Sequence, residues 1–286
     1  SSHTDRHGRL QIFLVKTLIS AYYHFRQKQF SFLVEESNCM NFTDMHIHLQ
    51  DYKANCATDI IENARAAGVG RMVCAATAES DWPAVAALAE KYPHTVVPAF
   101  GVHPWYAGET AAGWEHRLHK RLLSAPEALV GESGLDGLRG DQAAQKTVFS
   151  VQAALAKELR RPLVIHAVKA VAALSAFLPQ MPERFMIHSF NGRTEHLRPI
   201  LNAGGYVSFS ASILKNRDAG EIVRLVPEDR LLIETDGPYQ GPEKGREQTP
   251  LFLPVLLAQL ARWRREDAEK LAAAAEANAK EFIYGK

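Results

Sequence analysis

Six residues whose side chains bind cations each stand at the end of a short apolar run: His46, His48, Glu132, His166, His188 and Asp236. The pair His46-x-His48 means little alone, since 12 histidines in 286 residues give about 0.5 such spacings by chance. Position gives it weight, because residues two apart on a strand face the same way and both imidazoles then enter from one strand end. Four imidazoles and two carboxylates converging on one mouth are hard to bury without a compensating cation. They suffice as a shell for two divalent ions, and four imidazoles make Zn or Mn tighter-binding cofactors than Mg. Such a pair lowers the pKa of a shared water and clamps the attacking and leaving oxygens of an in-line displacement, which suits a phosphodiester. Asp236 is expected to orient the resulting hydroxide and take its proton, with Glu132 as the second catalytic carboxylate. His103, Lys169, Arg139 and Arg193 are the candidates for contact with the phosphate or leaving group. Glu234, two residues before Asp236, is expected one layer deeper as a buried acid that orients ligands. His94, His116, His119 and His196 read as surface residues.

These groups need a scaffold that brings distant strand ends together. Eight apolar runs alternate with helical patterns: residues 42–49, 71–77, 96–104, 128–136, 162–168, 184–190, 206–212 and 230–238. Their interiors are nearly unbroken apolar sequence, as expected for parallel strands covered on both faces. Gln142 to Arg160 places apolar residues at helical spacing, and Glu266 to Phe282 reads as a closing helix. An α/β fold of the (β/α)8 TIM-barrel type is therefore expected, and such barrels carry their chemistry at the C-terminal strand ends. An open dinucleotide-binding sheet is disfavoured because no G-x-G-x-x-G follows an early strand.

Residues 40–286 read as a single barrel domain. The chain opens without Met, and the first methionine is Met40, so residues 1–39 are expected to be a non-native or accessory extension. Leu10 to Tyr23 is apolar but too short to span a bilayer and contains Lys16. With 33 basic and 32 acidic side chains the formal charge is +1, so no global basic field holds nucleic acid. Cys39, Cys56 and Cys74 are odd in number and lack C-x-x-C spacing, which points to reduced thiols and a cytoplasmic location.

The chain also resembles the TatD-related hydrolases, metal-dependent deoxyribonucleases within the amidohydrolase-like barrels. The resemblance runs from Asp44 to Phe282 and rests on seven ordered blocks: D-M-H-I-H (44–48), G-V-H-P (101–104), V-G-E-S-G-L-D (130–136), V-I-H-A (164–167), H-S-F-N-G (188–192), L-L-I-E-T-D-G-P-Y (231–239) and A-N-A-K-E-F (277–282). It implies that His46, His48 and Asp236 hold one divalent ion, His166 and His188 the second, and that Glu132 bridges them. It also implies that His103 faces substrate. The family's usual strand-5 block is H-S-R-D-A, whereas this chain reads H-A-V-K-A from His166 to Ala170, so Val168 stands where an Arg suited to phosphate is usual. Lys169 is shifted by one residue and lacks a planar fork. The activity expected is 3′–5′ exonucleolytic hydrolysis of single-stranded DNA. The alternatives are hydrolysis of a small phosphoester, lactone or amide, and a non-catalytic binding barrel; no membrane or obligate protein partner is expected.

Overall fold

The computed structural model describes residues 41–285 except 54, 55 and 244. The expected extension, residues 1–39, lies outside the described residues. Eight parallel strands follow one another around a sheet in chain order: β1 Phe42–Ile47, β2 Val69–Ala75, β3 Val96–Phe100, β4 Leu129–Asp136, β5 Leu163–Val168, β6 Phe185–Ile187, β7 Tyr206–Phe209 and β8 Leu231–Ile233. The sheet closes on itself just beyond β8. There Asp236 N–H donates to His46 O at 2.9 Å, and His48 N–H donates to Gly237 O at 2.7 Å. The TIM-barrel expectation is therefore met.

Nine helices lie among the described residues: α1 Ala57–Ala66, α2 Trp82–Lys91, α3 Trp114–Ser124, α4 Gln142–Glu158, α5 Val171–Leu174, α6 Thr194–Asn202, α7 Ala219–Leu225, α8 Leu253–Arg264 and α9 Ala268–Tyr284. Asp141 starts α4 by accepting from the Ala143 and Ala144 amides, and Asp267 starts α9 by accepting from Lys270 N–H. None of the helices is long and apolar enough to cross a membrane, among the described residues.

Two apolar layers explain the unbroken strand sequences. Met72, Cys74, Val96, Phe100, Leu163 and Ile165 belong to the outer core with the helices. Their neighbours Val73, Val97, Ala99, Val164, Met186 and Leu232 fill the barrel interior together with Phe282 of α9. Every strand thus buries both faces.

Two strands depart from regular register, and both serve the site. Asp44 and Ile47 of β1 pair with Met72 and Cys74 of β2, so three steps on one strand meet two on the other. Val130 and Ser133 of β4 pair with Leu163 and Ile165 in the same way. Such bulges re-aim side chains. The first lets His46 join His48 at Glu132 although its neighbour Met45 also packs in the interior. The second surrounds Glu132 itself. Gly134 is then forced: its φ is +148°, and a Cβ there would stand 2.0 Å from the His166 carbonyl oxygen.

Candidate metal centre

His46, His48, Glu132, His166, His188 and Asp236 come together at the C-terminal mouth, each no more than 8% exposed. Glu132 lies inside β4 rather than at its end, a correction to its expected place; the strand runs four residues further to Asp136. Its two oxygens face different partners. Oε2 stands 3.2 Å from His46 Nε2 and 3.4 Å from His48 Nε2. Oε1 stands 2.8 Å from His166 Nδ1, 2.9 Å from His188 Nε2 and 3.3 Å from His103 Nε2. Asp236 Oδ1 lies 3.3 Å from His48 Nε2 and 3.7 Å from His46 Nε2.

The rear atoms of the rings decide what the front atoms offer. His48 Nδ1 meets the Ala75 carbonyl at 2.9 Å, and a carbonyl only accepts, so Nδ1 carries a proton. His188 Nδ1 is held by Glu234 Oε1 at 3.2 Å, and His166 Nε2 by Asp136 Oδ2 at 3.3 Å. Each of these rings consequently turns a lone pair toward Glu132 when neutral. Carboxylate or carbonyl support behind an imidazole is the usual arrangement around a ligated metal. The front nitrogens of His46 and His48 are 3.1 Å apart, and those of His166 and His188 3.3 Å. Ligands bound tetrahedrally at about 2.0–2.1 Å stand about 3.3 Å from one another. The donor set therefore fits divalent cations.

His103 differs. Its Nδ1 accepts the Trp105 backbone N–H at 3.1 Å, so the neutral ring carries its proton on Nε2, pointed at Glu132 and at His166 Nδ1, 3.2 Å away. It is a hydrogen-bond donor at the centre, although its position beside Glu132 and His166 would superficially suit a ligand.

Electrostatics show how strongly the carboxylates demand positive charge. Burial opposes ionisation of Glu132, yet His188, His103 and His46 hold its carboxyl well below the usual range. Burial likewise opposes a charged His48, but Asp236 and Glu132 carry its pKa up to about 9. His188 is raised well above its ordinary value by Glu132 and Glu234 against the same burial. His46, facing other imidazoles, is pushed down, first by burial and then by His188.

Of the candidates for substrate contact, His103 reaches the cluster. Arg139 lies exposed with its guanidinium 4.4 Å over the Trp105 ring. Lys169 is exposed at the end of β5 in a left-handed conformation, φ 51°. Arg193 is three-quarters exposed and 3.5 Å from Glu195, with no contact to the cluster. Glu234 sits one layer below the mouth against His188, where the sequence places it.

Residues not anticipated also shape the centre. Asp136 accepts from Trp105 Nε1–H at 2.6 Å and from Leu138 N–H at 2.8 Å while supporting His166. Its even spacing from Glu132 on one strand is the signal that could have found it. Gln240 donates to Asp236 Oδ2, and its own oxygen accepts from Ser189 and Ser210 at 2.6 and 2.7 Å, which fixes the amide orientation.

Residues 43–284 match the family described as TatD related DNase. The chain belongs to that family. Among relatives, the 3′-5′ ssDNA/RNA exonuclease TatD of Pantoea ananatis (strain LMG 20103) is 34% identical over 239 residues, covering 78% of this chain and 92% of that protein. The crystal structure of YJJV, a TatD homologue from Escherichia coli K12, superposes with a TM-score of 0.78 at 26% identity, covering 85% of this chain and 97% of the other. A TatD family hydrolase from Entamoeba histolytica gives a TM-score of 0.79 at 17% identity, with coverage of 87% and 99%, and so supports the fold alone.

Proposed function

We propose that this TatD-family protein is a metal-dependent phosphodiesterase that removes nucleotides from the 3′ end of single-stranded DNA, and of RNA. The observation that carries the reading is the division of Glu132, with one oxygen toward His46 and His48 and the other toward His166 and His188. Glu132 would thereby serve both histidine pairs as a ligand, with Asp236 beside the first. Two divalent ions held there, Zn, Mn or Mg, supply a water acidic enough to be deprotonated at neutral pH and positive charge against a phosphoryl group. Asp236 is the proton acceptor: Gln240 holds its Oδ2 while Oδ1 faces the cluster. His103 donates from Nε2 to a phosphoryl or leaving oxygen, its tautomer set by Trp105 N–H. Arg139 and Lys169 are assigned to the phosphate. Arg193 is left with a surface role.

The names of the relatives support single strands as substrate. The free thiols of Cys56 and Cys74 support a reducing, cytoplasmic setting. A second reading, a hydrolase of small phosphoesters, lactones or amides, is favoured by Val168, which is 39% exposed where a phosphate-binding Arg is usual in the family. The deciding experiment incubates metal-reconstituted protein with end-labelled single-stranded DNA beside small aryl phosphodiesters and esters. Stepwise shortening from the 3′ end, suppressed steeply by salt, supports the nuclease. Turnover of small esters alone supports the second reading. Less than one bound ion per chain with no turnover leaves a binding protein.

A further inference from the structure

Eight large apolar or aromatic side chains are exposed among the described residues, and five of them, Trp105, Tyr106, Leu138, Val168 and Tyr239, lie on or beside the loops after β3, β4, β5 and β8. Those loops surround the metal centre. Two of the aromatics are anchored by their polar edges with much of the ring left open. Trp105, 41% exposed, donates its indole N–H to Asp136 and stands 4.9 Å from the His103 ring. Tyr239, 51% exposed, donates its hydroxyl to Asp51 at 3.0 Å and stands 5.6 Å from the His48 ring. An edge tied down and a face exposed to solvent is how a ring presents itself for stacking, and every nucleobase has a matching face. The Arg139 guanidinium, 4.4 Å over Trp105, adds a plane that stacks on a base and a charge that meets the adjoining phosphate.

We propose that Trp105, with Arg139 laid on it, and Tyr239 are the base-stacking residues that hold the terminal nucleotides of a single strand against the metal centre. The proposal rests on the phosphodiesterase reading above and adds the source of substrate selectivity. Paired bases are hidden inside a duplex, so these rings act only on unpaired ends. They also give the protein a grip on nucleic acid that a chain of net charge +1 does not obtain from its overall field.

The test compares two single-stranded oligonucleotides of equal length and charge, one intact and one with its last two 3′ residues abasic, and reads the ratio of their kcat/KM values. The wild-type ratio should be about tenfold or more. Trp105→Ala should lower it by about fivefold or more, toward one. Trp105→Phe keeps a ring without the N–H, so it should slow both substrates through Asp136 yet stay within about threefold of the wild-type ratio. Tyr239→Ala tests the opposite wall by the same ratio and serves if Trp105→Ala does not fold. Binding of the intact labelled strand to metal-free protein, followed by anisotropy, should weaken in parallel. A wild-type ratio near one, or a wild-type ratio retained in both alanine variants, overturns the proposal. Wild-type protein that hydrolyses small aryl phosphodiesters but neither oligonucleotide overturns the nuclease reading itself, and the stacking assignment with it.

Discussion

Chelating the divalent cations leaves Glu132 and Asp236 facing imidazoles with only protons to offset them, and the effect is largest to reckon at His48. This residue is buried, which works against its charged form, but Asp236 and Glu132 at 3.3 and 3.4 Å carry its pKa from 6.5 up to about 9. At about 1.4 kcal/mol per pH unit, that rise is worth about 3 kcal/mol. The folded state binds this proton more tightly than the unfolded state. The stabilisation is therefore fully present below about pH 6.5 and lost as pH rises through about 9. His188 and His166 are raised as well and add to the effect. For a domain of this size 1 kcal/mol moves Tm by about 2–4 °C, so His48 alone accounts for about 6–12 °C. The assay is thermal unfolding of chelated and metal-loaded protein from pH 6 to pH 10. Cations need the neutral imidazoles, so the loaded protein should not lose this contribution, and the gap between the two Tm curves should widen with pH. His48→Gln should flatten the chelated curve by a comparable amount. Parallel curves for chelated and loaded protein between pH 6.5 and 9.5 would refute the reasoning.

Glu132→Ala should abolish metal-supported hydrolysis and at least halve the bound metal, with the far-ultraviolet circular dichroism of the barrel unchanged; retained turnover of a DNA substrate would count against its bridging position. Asp136→Asn removes the charge and one of the two acceptor oxygens behind His166, and metal affinity measured by calorimetric titration should fall by about 10- to 100-fold. Gly134→Ala places a Cβ 2.0 Å from the His166 carbonyl at a φ of +148°, and denaturant unfolding should show a loss above about 4 kcal/mol or no folded protein at all.

The strands were legible because each buries both faces, and the residue runs that predict them overlap all eight observed strands. The ligand candidates were legible because they sit at those runs. The features that strand pairing decides were not legible. The bulges at Asp44–Ile47 and Val130–Ser133 exist only relative to β2 and β5, and a single strand's sequence holds no record of its neighbour's register. Glu132 was accordingly expected at a strand end when it lies within β4. The role of His103 was half visible: its place near substrate-binding groups could be expected, but its tautomer depends on the Trp105 amide that meets it after the turn at Pro104. Arg193 and Arg139 are both exposed in the fold, and what separates them, Arg139 laid over the Trp105 ring and Arg193 beside Glu195, is not written in the sequence.

The backbone at the mouth explains why the site is built from strand ends that differ so much locally. Lys169, Ser189 and Asp236 take left-handed conformations, φ 51°, 45° and 56°, at or just past the ends of β5, β6 and β8. For residues other than glycine that conformation costs about 1–2 kcal/mol each. At Asp236 the cost is offset by bonds that also fix its chemistry: its N–H donates to His46 O, closing the barrel, and Gln240 donates to its carboxylate. At Ser189 the hydroxyl joins Ser210, Ser212 and Gln240. Strain at β6 and β8 is thus offset by one network that ends on Asp236 Oδ2. Gln240→Leu keeps the bulk and removes that network's link to the carboxylate. Metal affinity read by titration should fall by about 10- to 100-fold, with the strand fold unaltered. An unchanged affinity would mean that the backbone turn alone positions Asp236.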